Sequence, residues 1–356
     1  MEINRLRLNQ YRSYAALDLR PGPGINAIVG DNAEGKTNSV EAVFLCAFGR
    51  SHRTELIMRG CAGGYVGAEL TNNTGSHLIE IKLRDGERKK IFIDRQMASR
   101  SGELMGLLNV VMFAPEDLSI VKEGPAERRR FMDMELSQTH PAYYYSLQRY
   151  NSALKQRNAL LKEPDRIGPG MLETWDEQLS ALGEEIVMDR CEFIDGLSTI
   201  AYDLHKSITG GRERLEIVYE PDIDPEDPEG IYGAMLKALD RSRAEDLRRG
   251  FTTAGPHRDD IGIALSGIAP NGTGNSVPEW KLVLGLAFIR EIKEEAPVLI
   301  LDDVLSELDE GRQQLLMESM KDCQCFLTCT SLEGLKRAGL GNMKVFRCKG
   351  GEMRPE

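Results

Sequence analysis

Residues 30–37 read GDNAEGKT, the spacing G-x-x-x-x-G-K-[ST] of a loop that holds phosphate. The oxygens of a triphosphate must meet several backbone N–H groups at once, so the loop wraps without bulky side chains at Gly30 and Gly35. Lys36 sets an ammonium against the β and γ phosphates, the Thr37 hydroxyl is a ligand for Mg²⁺, and the helix that follows points its positive end at the anion. Near the other end of the chain, VLILDD (298–303) is an apolar run that closes on two acids. An acid at a strand end completes such a site: Asp302 is placed to hold magnesium, directly or through water, and Asp303 to orient an attacking water. Lys36 and Asp303 are thus the candidate catalytic residues, and Thr37 with Asp302 the candidate metal ligands.

The surrounding elements fit that chemistry. INAIVG (25–30) is a short apolar strand feeding the loop, and Lys36–Phe48 has Val40, Val43, Phe44 and Ala47 on one helical face. Alternating segments at the start (Ile3 to Tyr11, Leu17 to Leu19), at Tyr65–Leu70, His77–Leu83 and Lys90–Ile93, and an apolar stretch at Leu108–Phe113, read as strands between polar turns. From Tyr143 the period changes to that of helices. Leu147, Tyr150, Leu154 and Leu161 form one stripe, and after the break EPDRIGPG a second runs through Trp175, Leu179, Leu182, Ile186, Phe193, Leu197, Ile200 and Leu204. These two predict an antiparallel helix pair, with a further helix at Ile231–Arg248. Strand and helix alternate again after Phe251, with a helix expected at Leu282–Lys293 and strands at 296–303 and 325–330. The expected layout is an α/β nucleotide-binding lobe in two parts, residues 1–132 and 250–356, divided by a helical lobe at 133–249.

Composition sets the outer bounds. The 356 residues are 41% hydrophobic and 28% charged, ordinary for a globular chain. No apolar run reaches the roughly 18 residues of a membrane span, and no signal-peptide segment opens the sequence. The seven cysteines read as reduced thiols of a cytoplasmic protein. CQCFLTCT (323–330) alternates like a buried strand and lacks paired C-x₂-C spacing, which favours a strand over a zinc site. The net charge of −11 weighs against nucleic acid as a partner without excluding a local basic face. The wide separation of the phosphate loop from the acidic strand excludes small GTPases and simple kinases, and favours ATPases with a long insertion.

Five segments carry a more specific likeness: VGDNAEGKTNSVEAVFLCAFGRSHRT (29–54), FAPEDLSIVKEGPAERRRFMD (113–133), LKQRNALL (154–161), TTAGPHRDDI (252–261) and LILDDVLSELD (299–309). Together with YRSY (11–14), and in this order, they resemble the RecF family of bacterial DNA replication and repair proteins. The resemblance implies an ABC-type P-loop ATPase head, a mixed sheet around helices with an inserted helical lobe, related to chromosome-maintenance ATPases. It implies ATP and Mg²⁺ as cofactors and an ATP-dependent homodimer. It also implies binding to DNA, double-stranded and at single/double-strand junctions, and work with RecR- and RecO-type mediators to place RecA. Residue by residue, Gly30, Asp31, Asn32, Ala33, Glu34, Gly35, Lys36, Thr37 and Asn38 match the nucleotide-binding loop, and Arg12 matches a position near the nucleotide. Asp302 matches the magnesium aspartate and Asp303 the hydrolytic acid, one methylene shorter than the usual glutamate, which implies slow turnover. Ser276 matches the serine of the signature segment donated by the second head. Pro278 replaces that segment's glycine and so removes a backbone N–H. Ala33 stands where the family often has glycine, and its methyl group calls for a negative φ. Thr328 falls where many ABC proteins carry a sensor histidine.

Candidate phosphate-backbone contacts are Arg88, Lys89, Lys90 and Arg95 on a hairpin, the run Arg128–Arg130, and Arg149, Lys155 and Arg157 on the first long helix. Each is equally a solvated charge or a structural brace. His257 in GPHRDD either lines an interface or is a turn histidine bonded to Asp259 or Asp260. Three functional classes follow: an ATP-driven DNA clamp, a non-hydrolysing recruitment module, and the motor of a membrane transporter, the last disfavoured by the helix pair and GPHRDD.

Overall fold

A computed structural model describes residues 1–51, 55–114, 124–209, 211, 213–267, 295–303, 313, 323–332 and 343–356. The chain divides into two units, Met1–Ser119 with Pro278–Glu356, and Ile120–Val277. The sequence-based cuts at 132/133 and 249/250 both fall inside the second unit. Its limits are wider because the helix that precedes Tyr143 packs on the two long helices, and the strand that follows Phe251 pairs with a strand that packs on the second of them.

The first unit holds two six-stranded sheets. Strands β1 (Glu2–Tyr11), β2 (Tyr14–Leu19), β4 (Gly63–Asn72), β5 (Gly75–Arg84), β6 (Lys90–Ile93) and β7 (Gln96–Met97) form an antiparallel sheet in the order β2-β1-β4-β5-β6-β7. The second sheet joins β3 (Ile25–Val29), β8 (Val110–Phe113), β11 (Val298–Asp302), β12 (Cys325–Cys329), β13 (Met343–Lys349) and β14 (Glu352–Pro355) in the order β14-β13-β3-β12-β11-β8. All its pairings are parallel except β13–β14. β11 is buried at every position, as parallel strands covered on both faces must be.

Helix α1 (Lys36–Phe48) touches β4 and β5 of one sheet and β8, β11 and β12 of the other. Eleven of its thirteen residues are buried, so the single apolar face read from the sequence understates it. A helix buried all round lies between layers, not on a surface.

The second unit contains α2 (Pro125–Thr139), α3 (Pro141–Leu161), α4 (Met171–Thr209), α5 (Gly230–Arg249) and an antiparallel strand pair, β9 (Glu213–Glu220) with β10 (Asp260–Gly267). α2 begins with a proline whose missing N–H has no intrahelical acceptor at that position anyway. Cross-helix contacts run in opposite order along α3 and α4. Tyr143 meets Arg190, Ser146 meets Glu185, and Arg157 meets Asp176. The pair is therefore antiparallel, as its two stripes predict.

Two arginines are buried inside this unit. Arg190 donates to Asp133 at 2.7 Å, to Asp259 at 2.6 Å, to the Pro256 carbonyl at 2.7 Å and to Tyr143 at 3.0 Å. Tyr219 also donates to Asp259, whose second oxygen accepts the Asp222 amide. Arg157, fully enclosed, donates to Asp176 and Asp246, each at 2.7 Å, and to Thr252 at 2.9 Å. Both clusters tie the 252–261 segment to the helices. Removing the Arg157 guanidinium leaves Asp246 buried without its counter-charge and Asp176 with Arg243 alone. Arg157→Met is expected to lower unfolding free energy by about 3–5 kcal/mol, whereas Arg166→Met, at an exposed pair, changes it by under about 1 kcal/mol. Urea titration of the two variants checks the contrast.

Candidate nucleotide site

β3 is the strand that delivers the phosphate loop, and α1 leaves it. Gly35 caps α1 at φ 108°, a conformation that excludes side chains with a Cβ, and a Cβ there would stand 2.6 Å from Ser13 Oγ. At Gly30 a Cβ would come within 2.3 Å of the Cys348 carbonyl oxygen. The two glycines thus also admit neighbouring chain segments. The β1–β2 turn lies against the loop, with the Tyr14 hydroxyl donating to the Gly35 carbonyl at 3.0 Å and Asn38 donating to Ser13 at 2.9 Å. The β13–β14 turn lies against it too. The Gly350 amide donates to the Glu34 carboxylate, and the Cys348 thiol donates to the Glu34 carbonyl at 3.2 Å.

Lys36 is buried, its ammonium donating to the carbonyls of Gly30 at 2.9 Å and Asp31 at 3.1 Å. The Thr37 hydroxyl donates to Asp302 Oδ1 at 3.1 Å. The amino-terminal loop and the acidic strand end therefore meet. β3 and β11 flank β12, and all three run parallel, so their carboxyl ends share one edge of the sheet. Thr328 on β12 donates to the same Asp302 oxygen at 2.6 Å and accepts the Asp303 amide at 3.0 Å. Asp303 has left β11 and sits at φ 52°.

One expected conformation needs correction. Ala33 adopts φ 67°, not a negative value. The left-handed region costs a residue with a Cβ roughly 1–2 kcal/mol, and the loop accepts that strain where glycine would relieve it. The Arg12 guanidinium donates to Glu41 of α1 at 2.6 Å and to Ser51 at 3.1 Å, so it stands beside the helix that leaves the loop, held by a buried carboxylate. Asn38 turns toward the β1–β2 turn. The Thr328 hydroxyl is engaged by the two acids. Asn32 is exposed, and Ser276, Pro278, the expected helix Leu282–Lys293 and the end of the LILDDVLSELD segment (304–309) lie outside the described residues. CFLTC (325–329) forms β12, and all seven cysteines are free thiols.

Of the candidate phosphate contacts, Arg157 is excluded by complete burial. Arg128 makes a two-pronged pair with Asp260, and Arg129 donates to the Asp259 carbonyl at 2.5 Å, which makes both of them braces within the second unit. Arg88, Lys89, Lys90, Arg95, Arg149 and Lys155 are exposed. His257 bonds to neither Asp259 nor Asp260. Its Nε2 donates to the Thr252 carbonyl at 3.1 Å, an atom that only accepts, so Nδ1 accepts the Tyr150 hydroxyl at 2.8 Å. Sequence reading missed Ser13, Tyr14 and Cys348 as supports of the loop. YRSY marked the first two, whereas Cys348 has no local signal.

A run of parallel strands that ends on a glycine-lined loop at a helix N-terminus, with acids at the end of the next strand but one, defines a P-loop ATPase head of the ABC type. The sequence profile of the RecF/RecN/SMC N-terminal domain matches residues 2–353. The chain belongs to that family, and within it to the RecF group. DNA replication and repair protein RecF of Clostridium perfringens is 40% identical over 99% of both chains, and that of Acetivibrio thermocellus is likewise 40% identical over 99% of both. A solved structure of the recombination mediator protein RecF with ATP, in the RecFOR pathway, superposes with a TM-score of 0.89 at 29% identity, covering 100% of this chain and 99% of that one. An Smc head bound to the C-terminal winged-helix domain of ScpA shares the fold, with a TM-score of 0.59 at 15% identity over 100% of this chain and 98% of that one.

Burial lowers the His257 pKa from its ordinary 6.5 to about 4. The unfolded chain therefore takes up this proton first as pH falls. The stability tied to neutral His257 is complete above pH 6.5 and is lost progressively down through pH 4, by up to about 3 kcal/mol. Urea unfolding across that range is expected to show this slope, and His257→Gln to flatten it by the same amount.

Proposed function

We propose that this chain is an ATP-dependent DNA-binding repair protein. In this reading two heads close on ATP and Mg²⁺ around DNA, and slow hydrolysis opens them. What carries the reading is the 3.1 Å contact between Thr37 and Asp302, joining the two halves of one site. The residues fit the cofactors. Hydroxyl and carboxylate oxygens are hard donors suited to Mg²⁺, and the first turn of α1 has no acid to repel phosphate. The bound metal would neutralise phosphate charge. Lys36 binds the β and γ phosphates, Thr37 and Asp302 hold the metal, and Asp303 orients the attacking water. Ser276 would reach the second head's nucleotide. By analogy with its relatives the protein acts in the cytoplasm with RecR- and RecO-type mediators to place RecA on DNA.

The DNA surface proposed on the first unit is an open groove of about 1100 Å³ whose lining includes Arg59, Arg84, Arg88, Lys89 and Arg100. Its acids, Glu55, Asp85 and Glu87, are fewer than its cations. Contacts from flexible cations to the phosphate backbone carry no base sequence information.

Gel filtration with ATP and Mg²⁺ is expected to show a dimer. Lys36→Met loses that dimer, and Asp303→Asn keeps it while phosphate release falls at least about tenfold. A protein that stays monomeric with ATP, and whose DNA affinity ATP does not raise, would defeat the clamp. For the groove, the triple replacement Arg88→Ala, Lys89→Ala, Lys90→Ala is expected to weaken DNA binding and to reduce the slope of log K against log salt by about 0.9 for each phosphate no longer neutralised. An unchanged slope removes this groove from the DNA path.

A further inference from the structure

Thr328 is 1% exposed at the centre of the parallel sheet, where β12 separates the strand that feeds the phosphate loop from the strand that bears the acids. It stands opposite Asp302 on one side and Ile28 on the other. A hydroxyl is an unusual choice at so dry a place, and its cost is offset only where both its proton and a lone pair are used. Here both are. The proton goes to Asp302 Oδ1 at 2.6 Å, and the oxygen accepts the Asp303 amide at 3.0 Å. The shorter bond is charge-assisted and fixes the rotation of the carboxylate. The longer one holds the amide of a residue at φ 52°, a conformation uncommon for residues other than glycine.

We infer that Thr328 is a positioning residue for both acids: one hydroxyl sets the direction of the candidate metal ligand and the turn that aims the candidate hydrolytic group. The inference rests on the nucleotide reading above. Thr328 itself touches neither metal nor phosphate. With Oδ1 already receiving the Thr37 and Thr328 hydroxyls, Asp302 keeps one orientation before any metal arrives, so metal binding carries less cost of ordering. Because the Thr328 hydroxyl also holds the Asp303 amide, metal affinity and turnover are coupled through a single side chain.

The test is binding of a fluorescent ATP analogue to the full chain, titrated with Mg²⁺, on Thr328→Val, Thr328→Ser and Thr328→Ala. Valine keeps the packing volume and removes the hydroxyl; serine keeps the hydroxyl and removes the methyl. Thr328→Val is expected to raise the Mg²⁺ concentration at half-maximal effect by about tenfold or more, while metal-free nucleotide binding stays as in the wild type. It is expected to lower kcat more than it raises KM, and Thr328→Ser is expected to restore both. Thr328→Ala gives the same readout should valine disturb the fold. A Val or Ala variant with the wild-type Mg²⁺ midpoint overturns the inference, and so does a Ser variant as impaired as Val. A wild-type protein whose nucleotide binding ignores Mg²⁺ instead defeats the underlying metal-nucleotide reading.

Discussion

Asp302 Oδ1 accepts two threonine hydroxyls, one from the first turn of α1 and one from β12. That oxygen sits where three neighbouring parallel strands end, and the order β3-β12-β11 is what brings the donors to it. Side chains alternate along a strand, so a slip of one residue in the β11–β12 register would turn Thr328 away from Asp302. The site therefore depends on pairings made by backbone well below it. Continuous burial along β11 and β12 fixes those pairings, because exposing either strand would bring apolar side chains into water.

The phosphate loop is shaped from three directions. The β1–β2 turn reaches it through Ser13 and Tyr14, the β13–β14 turn through Cys348 and Gly350, and α1 continues from it between two sheets. Gly30 and Gly35 admit these neighbours, whose approach leaves no room for a Cβ. A well-packed surround of this kind can hold a non-glycine residue, Ala33, in a left-handed conformation. The second unit relies on another principle. It encloses the guanidinium groups of Arg157 and Arg190, each paired with two carboxylates, and so fixes the geometry of one turn. Such pairs add specificity more than net stability, since desolvation offsets much of their attraction.

Much of this was legible in the sequence. The loop spacing and the apolar strand ending in two acids located the site, and helical periodicity located α3 and α4. The buried arginines also left a mark there. Both stripes contain a step of seven, from Leu154 to Leu161 and from Ile186 to Phe193, and inside each gap an arginine occupies the inward face. Such a gap has no meaning until the partner carboxylates are known, and those come from distant segments. The partners of Thr328 were illegible for a similar reason. A threonine within an apolar strand is compatible with any partner, and only the order of the strands identifies Asp302 and Asp303. β9, β10, β13 and β14 escaped notice because charged residues or glycines interrupt their apolar positions, so their strand character comes from pairing and not from composition. The φ of Ala33 is set by neighbours that local sequence does not contain.

The strand order also bears on how the molecule is made. β3 is an inner strand, yet both its neighbours, β12 and β13, come from the last part of the chain, and the Asn26 side chain waits 299 positions for the Cys325 carbonyl. As the polypeptide emerges from the ribosome, the antiparallel sheet and the helical unit can each close while β3 still has two open edges. An unpaired apolar strand of this kind is a template for wrong partners, so the nascent chain needs shielding until β12 and β13 have been made. Competence for ATP thus arrives late and all at once, and a chain cut short before β12 would have the phosphate loop in its sequence and no sheet to hold it.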